Sequence, residues 1–212
     1  VKKLYFCHIP KTGGTYTDSI LLNDKIRKRF ESIGISVNML GHGIDYKTYH
    51  DKNNILVTCV RNPIDLIKSL YSHGQAGFSD VILKYNITNF EQFYDLFMGN
   101  KINELQKYYS DNYFLHQVFD GDEMFFDHTL RTDRLEGDIK KLLDHYSIDY
   151  SDINFNLSKY DMNYFLYDDY KSIHNLNHKR ERVESELISD NMKKEIYEKY
   201  KYYFDYFGFI NK

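Results

Sequence analysis

The chain opens on a compact apolar run, Leu4 to Ile9 (LYFCHI), that stops at Pro10-Lys11-Thr12-Gly13-Gly14 and gives way to helically spaced apolar residues from Thr15 to about Phe30. Short apolar runs bounded by Gly and Pro read as buried strands, and a spacing near 3.6 reads as a helix, so this stretch predicts strand, tight loop and helix. A second run, Val37 to Leu40, ends at Gly41-His42-Gly43. A third, Ile55 to Val60 (ILVTCV), ends at Arg61-Asn62-Pro63 before a helix through about His73. Strands that each end in a Gly- or Pro-marked loop, two of them feeding helices, predict an α/β fold with a central parallel sheet flanked by helices. Ligands of such sheets collect outside the carboxyl ends of the strands. The loops after the three runs therefore share one edge.

The second half reads as largely helical. From Gly74 to Gly121 the chain is rich in Tyr, Phe and Asn, with a helical stripe at Phe90, Phe93, Leu96 and Phe97 that reads as packing. Met124 to Leu130 predicts one more strand, and Leu135 to Tyr146 an amphipathic helix. The pattern is weak from Tyr150 to Asn175, and a last helix runs from about Asp190 to Tyr206 before Gly208.

With no Pro/Gly/Ser-rich linker in its 212 residues, the chain reads as a single domain, 1–212. A formal net charge of -3 gives no global basic field, which argues against nucleic acid as a partner and leaves any anionic ligand to local groups. Cys7 and Cys59 both sit in apolar runs and read as reduced core residues. No stretch reaches the ~18 apolar residues of a membrane span. The chain as it stands is read as soluble, either cytoplasmic or the lumenal catalytic part of a membrane-anchored parent.

Two places carry chemistry. In His8-Ile9-Pro10-Lys11-Thr12-Gly13-Gly14-Thr15-Tyr16 two glycines lie where a strand hands over to a helix. Backbone N–H groups there can close on an anion, the helix start adds partial positive charge, Lys11 adds a full one, and Thr12 and Thr15 offer hydroxyls. This is a P-loop-like cradle without the Walker A order, because the lysine precedes the glycines. The second place is Arg61, a forked cationic donor at a strand end, with Ser69 eight residues later on the following helix.

The order His8-Ile9-Pro10-Lys11-Thr12-Gly13-Gly14-Thr15, then Gly41-His42, then Val60-Arg61-Asn62-Pro63 to Ser69-Leu70-Tyr71, resembles the sulfotransferases that use 3′-phosphoadenosine 5′-phosphosulfate (PAPS). The likeness is greatest to the branch that modifies carbohydrates such as heparan sulfate. Arg131-Thr132-Asp133-Arg134-Leu135-Glu136-Gly137-Asp138 and Phe204-Asp205-Tyr206-Phe207-Gly208 look like further family features. The resemblance implies a nucleoside-kinase-like sulfotransferase fold. It also implies a first loop, Lys11 to Tyr16, on the 5′-phosphosulfate, and an Arg61/Ser69 pair on the 3′-phosphate. PAPS is then the donor and 3′-phosphoadenosine 5′-phosphate (PAP) the product; no metal is expected, since the histidines and cysteines lack zinc-ligand spacing and two cationic anchors reduce the need for one. The acceptor is a hydroxyl or amine, of a carbohydrate or another small hydroxylated molecule. The family often has a second arginine four residues after the first, where this chain has Leu66, and Lys68 on the same helix is a candidate substitute.

Sulfuryl transfer builds negative charge on the departing oxygen, a task for Lys11, and takes a proton from the acceptor, a task for a histidine. His42 is the candidate base, against a structural role on a loop carbonyl. His8, inside the first strand, reads as a packed residue. Lys179 and Arg180, before the last helix, are candidates for closing over the nucleotide, against the reading of a solvated charged face. Two other functions stand beside transfer: a nucleotide-dependent kinase, and a non-catalytic module that binds the nucleotide or a sulfated glycan.

Overall fold

The computed structural model describes residues 2–41, 44–77, 83–102, 118–156 and 188–209. They fall in two compact units, Val1–Arg61 with Leu115–Asp161, and Asn62–Phe114 with Met162–Lys212.

The first unit is built on four parallel strands: β1 (Lys2–Cys7), β2 (Ile35–Leu40), β3 (Asn54–Val60) and β6 (His128–Arg131), in the order β2-β1-β3-β6. β1 aligns Leu4 with Val37 on one side and with Ile55 on the other. Burial follows position in the sheet. Central β3 is buried at every residue after Asn54, whereas edge strand β2 alternates, as strands covered on two faces and on one should. Helices α1 (Gly14–Leu21) and α2 (Asp24–Ser32) lead from β1 to β2, and a 3₁₀ turn (Tyr46–Tyr49) precedes β3. After β1 the chain goes to one side, into β2, and then returns past β1 to β3 on the other. The carboxyl ends of β1 and β3 therefore flank a point where strand order reverses, the place where open α/β sheets form a crevice.

The expected α/β class with a parallel sheet is observed, with differences in detail. The single helix expected from Thr15 to Phe30 is two helices, because the Asn23 side chain accepts a hydrogen bond from the Lys25 N–H (3.0 Å) and caps a new helix. The break lets Ile20 and Leu21 before it, and Ile26 and Phe30 after it, enter one core. The strand expected over Met124–Leu130 is two elements. β5 (Glu123–Met124) forms an antiparallel hairpin with β4 (Phe119–Asp120), and β6 begins after Asp127. Asp127 sets that start by exchanging two bonds with the backbone of Leu56: its N–H donates to the carbonyl (2.9 Å) and its carboxylate accepts from the N–H (2.7 Å). Helix α5 (Leu135–His145) then covers the sheet with Ile139, Leu142 and Leu143.

The second unit is helical: α3 (Pro63–Gly77), α4 (Phe90–Met98), α6 (Asp190–Lys199) and α7 (Lys201–Phe207). Asn62 caps α3 through its side chain, which accepts from the Ile64 N–H (2.9 Å), and Pro63 takes the first turn, where no N–H is required. Rings do most of the packing, with Tyr71 5.3 Å from Phe90 and 5.4 Å from Phe93. The last helix, expected as one from Asp190 to Tyr206, bends at Tyr200, a buried residue whose φ of -113° lies outside the helical range. Gly208, at φ 64°, ends it in the left-handed conformation that favours glycine. Among the described residues no helix is long and apolar enough to cross a membrane.

Candidate functional site

The loop after β1 is shaped by two residues in the left-handed region, Lys11 (φ 63°) and Gly13 (φ 96°). Gly13 is at ease there, and a Cβ on it would come within 2.8 Å of Leu135 on α5. Lys11 is not at ease, since a non-glycine residue with positive φ is uncommon and is held there by its surroundings. The holding contacts are on its carbonyl, which accepts from an Arg61 guanidinium N–H at 2.9 Å, and on the next carbonyl, that of Thr12, which accepts from the Thr132 hydroxyl. The same Thr132 oxygen lies 3.0 Å from the Val60 carbonyl, so one hydroxyl spans the loop after β1 and the end of β3. Thr12, itself buried, donates its hydroxyl to the Ile9 carbonyl (2.7 Å), which closes the bend from within.

Beneath the loop lies a buried histidine–carboxylate contact. His8 Nδ1 is 2.8 Å from Asp18 Oδ2, although neither Asp18 oxygen receives a well-directed hydrogen bond among the described residues. Burial raises the Asp18 pKa, and His8 opposes that shift. The His8 ring fills the space where Gly14 would carry a side chain: a Cβ there would stand 2.1 Å from His8 Cδ2. Gly14 is thus required by a histidine six residues away, not by its own backbone angles. The Tyr46 hydroxyl approaches the carbonyls of His8 (3.1 Å) and Gly41 (3.0 Å), and so links the ends of β1 and β2.

Lys11 is half-buried in this setting. Loss of hydration, and then the nearby Arg61 charge, pull its pKa down to about 8. An ammonium held in this way gains when an anion arrives, because the anion reverses the second effect and offsets the first.

Of the residues singled out from the sequence, Lys11, Thr12, Gly13, Gly14, Thr15 and Arg61 lie together at the carboxyl ends of β1 and β3. Tyr16 begins the same helix, but its ring is buried in the core and its hydroxyl donates to the Phe155 carbonyl (3.0 Å). Ser69 is in α3 of the second unit, half-buried. Leu66 is fully buried there, so that position packs the helical core, and Lys68 lies 3.9 Å from Asp65. His42, Lys179 and Arg180 lie outside the described residues. Among the described residues no group of three or more His, Cys, Asp or Glu side chains is placed to hold a metal ion.

Three contributors were missed by sequence reasoning: Thr132, Tyr46 and Asp18, the partner of the packed His8. Only Thr132 carried a signal, its place in Arg131-Thr132-Asp133-Arg134 directly after a strand. Asp138 organises that stretch from a buried position, where its Oδ2 accepts from the Arg131 N–H and from Arg134 Nε, both at 3.0 Å. No protein-family model matches the chain, and no curated protein matches it.

Proposed function

We propose that the protein is a sulfotransferase that moves a sulfuryl group from PAPS to a hydroxyl or amine, with a carbohydrate the favoured acceptor. The observation that carries this reading is the lysine loop. Lys11 is an ammonium of lowered pKa, fixed in an unusual backbone conformation at the carboxyl end of β1, beside two glycines and the start of α1. A phosphosulfate supplies the negative charge this loop lacks, and the departing bridging oxygen gathers more as the S–O bond breaks. Lys11 is then closest to neutralised in the transition state, which is the condition for catalysis by differential binding.

Arg61 has five N–H donors in a fixed fork, and one of them holds the Lys11 carbonyl. Its assignment with Ser69 to the 3′-phosphate rests on the sequence resemblance, as do His42 as base and Lys179 and Arg180 as closing residues. Thr132 acts on the loop and not on the substrate, as a positioning residue that keeps the Thr12 carbonyl turned away from the anion.

Calorimetry with PAP and ATP tests the reading. PAP should stabilise the protein against heat, by roughly 2.7 kcal/mol at a hundredfold excess over its Kd, and ATP should do much less. The free protein holds Lys11 near 8, and a bound polyanion raises that value. PAP affinity should therefore be fully present below pH 8 and should fall as pH rises through it, by up to about tenfold per unit. Lys11→Ala should abolish that slope together with radiolabelled sulfate transfer. Equal stabilisation by ATP, or PAP binding that is flat across pH 8, would remove the assignment.

A further inference from the structure

At the amino-terminal edge of the parallel sheet, the end away from the lysine loop, a cavity of about 430 Å³ opens within the first unit. Small-molecule sites commonly have volumes of 300 to 1,000 Å³. Five basic side chains line this one: Lys2 at the start of β1, His50 and Lys52 ahead of β3, His128 at the start of β6, and His145 at the end of α5. Among the described residues neither Lys2 nor Lys52 forms an ion pair or a side-chain hydrogen bond.

Two carboxylates share the wall, and both are tied to backbone. Asp127 accepts from the Leu56 N–H, and Asp51 accepts from the Asn53 N–H at 2.8 Å. Two lysines against two aspartates leave the wall without net charge while its histidines are neutral. The histidines decide its sign, since imidazole is the side chain that ordinarily gains charge between pH 8 and pH 5. His128 Nε2 is 2.9 Å from the Tyr146 hydroxyl, and its ring stands edge-on to His145 at 5.0 Å. Burial, and then the His145 charge, lower the His128 pKa. His50 and His145 are the two exposed imidazoles of the wall.

We propose that this cavity binds a compact organic anion, of monosaccharide size and carrying one sulfate, phosphate or carboxylate group, and that binding is coupled to protonation of His50 and His145. Lys2 and Lys52 supply fixed charge, the two histidines supply charge on demand, and Asn54 and Tyr146 offer neutral polar groups suited to hydroxyls. The volume has room for a sugar-sized body beside the anionic group. The site is independent of the lysine loop and of the activity proposed for it.

Proton–carbon NMR of the histidine rings in the full chain tests this, with glucose 6-sulfate, glucose 6-phosphate and glucuronate as probes and glucose as the neutral control. The sulfate ester keeps a single charge between pH 5.5 and pH 8, so any pH dependence in its binding reports the protein. It should shift the His50 and His145 signals saturably, about tenfold or more tighter at pH 5.5 than at pH 8, while glucose shifts neither. The phosphate and carboxylate arms identify which head group the wall prefers. Lys52→Ala should weaken binding roughly three- to tenfold, as expected of a partly exposed charge. His145→Gln should remove most of the pH dependence with the melting temperature unchanged, and Lys11→Ala should change neither. Absence of saturable shifts, equal affinity at the two pH values, or an unaltered His145→Gln titration would each overturn the proposal.

Discussion

Around the lysine loop, the sheet-bearing unit is held by polar side chains aimed at backbone carbonyls, whereas the helical unit is held by rings set against rings. Arg61, Thr132, Thr12 and Tyr46 all contact main-chain oxygens at strand ends. In the helical unit Tyr203 packs on Phe207 at 4.7 Å and Tyr197 on Phe204 at 5.3 Å, with polar links such as Tyr94 to Glu195 at 2.6 Å and Lys199 to the Met98 carbonyl at 2.7 Å beside them. Apolar packing rewards volume and tolerates a change of shape. Hydrogen bonds to carbonyls reward geometry and tolerate little. The first unit can therefore hold a lysine in an unfavourable conformation, and the second is suited to supply bulk.

The largest effect that would break this comparison lies in the helical unit. Phe204→Ala removes a fully buried ring and should cost about 3 to 5 kcal/mol in urea denaturation, and Phe204→Leu should recover most of it because volume is largely restored. Loss of stability by the leucine variant as great as by the alanine variant would mean that ring geometry, not volume, holds this unit.

Next in size is a single added methyl group in the sheet-bearing unit. Gly14→Ala drives a Cβ into the His8 ring and should cost about 1 to 3 kcal/mol. The same change made on a His8→Ala background should cost much less, because the obstruction is gone, and this coupling is what a double-mutant cycle reads. Additive losses would trace the cost of Gly14→Ala to its backbone and not to His8.

The smallest effect sharpens the comparison most. Thr132→Val keeps shape and deletes one hydroxyl, so it should cost only about 1 kcal/mol, with Thr132→Ser close to wild type. The amide NMR signals of Thr12 and Gly13 should shift in the valine variant and not in the serine variant. Unmoved signals would show that the loop holds its conformation without the Thr132 bond.

Much of the architecture was legible along the chain. The three apolar runs, their Gly- and Pro-marked ends and the helices after two of them needed only local chemistry to read. The cap that splits α1 from α2 was legible too, as Asn23 ahead of Asp24, but the continuous apolar spacing on either side obscured it. The grouping of Lys11, the two glycines and Arg61 was readable because parallel strands bring their carboxyl ends to one edge.

The sequence by itself determined that three apolar runs are strands, which loops share an edge and where a cation meets two glycines, because strand period, helix caps and glycine angles act within a few residues. Only the tertiary structure decided how that loop is held. Thr132 reaches Thr12 across 120 residues, Tyr16 sends its hydroxyl to Phe155 across 139, and Arg61 turns part of its guanidinium to the Lys11 carbonyl across 50. No local pattern encodes such contacts, since each depends on sheet register and helix placement. The His8 ring that makes Gly14 necessary, and the lowered Lys11 pKa, likewise arise only once the strands are paired and water is excluded from the loop.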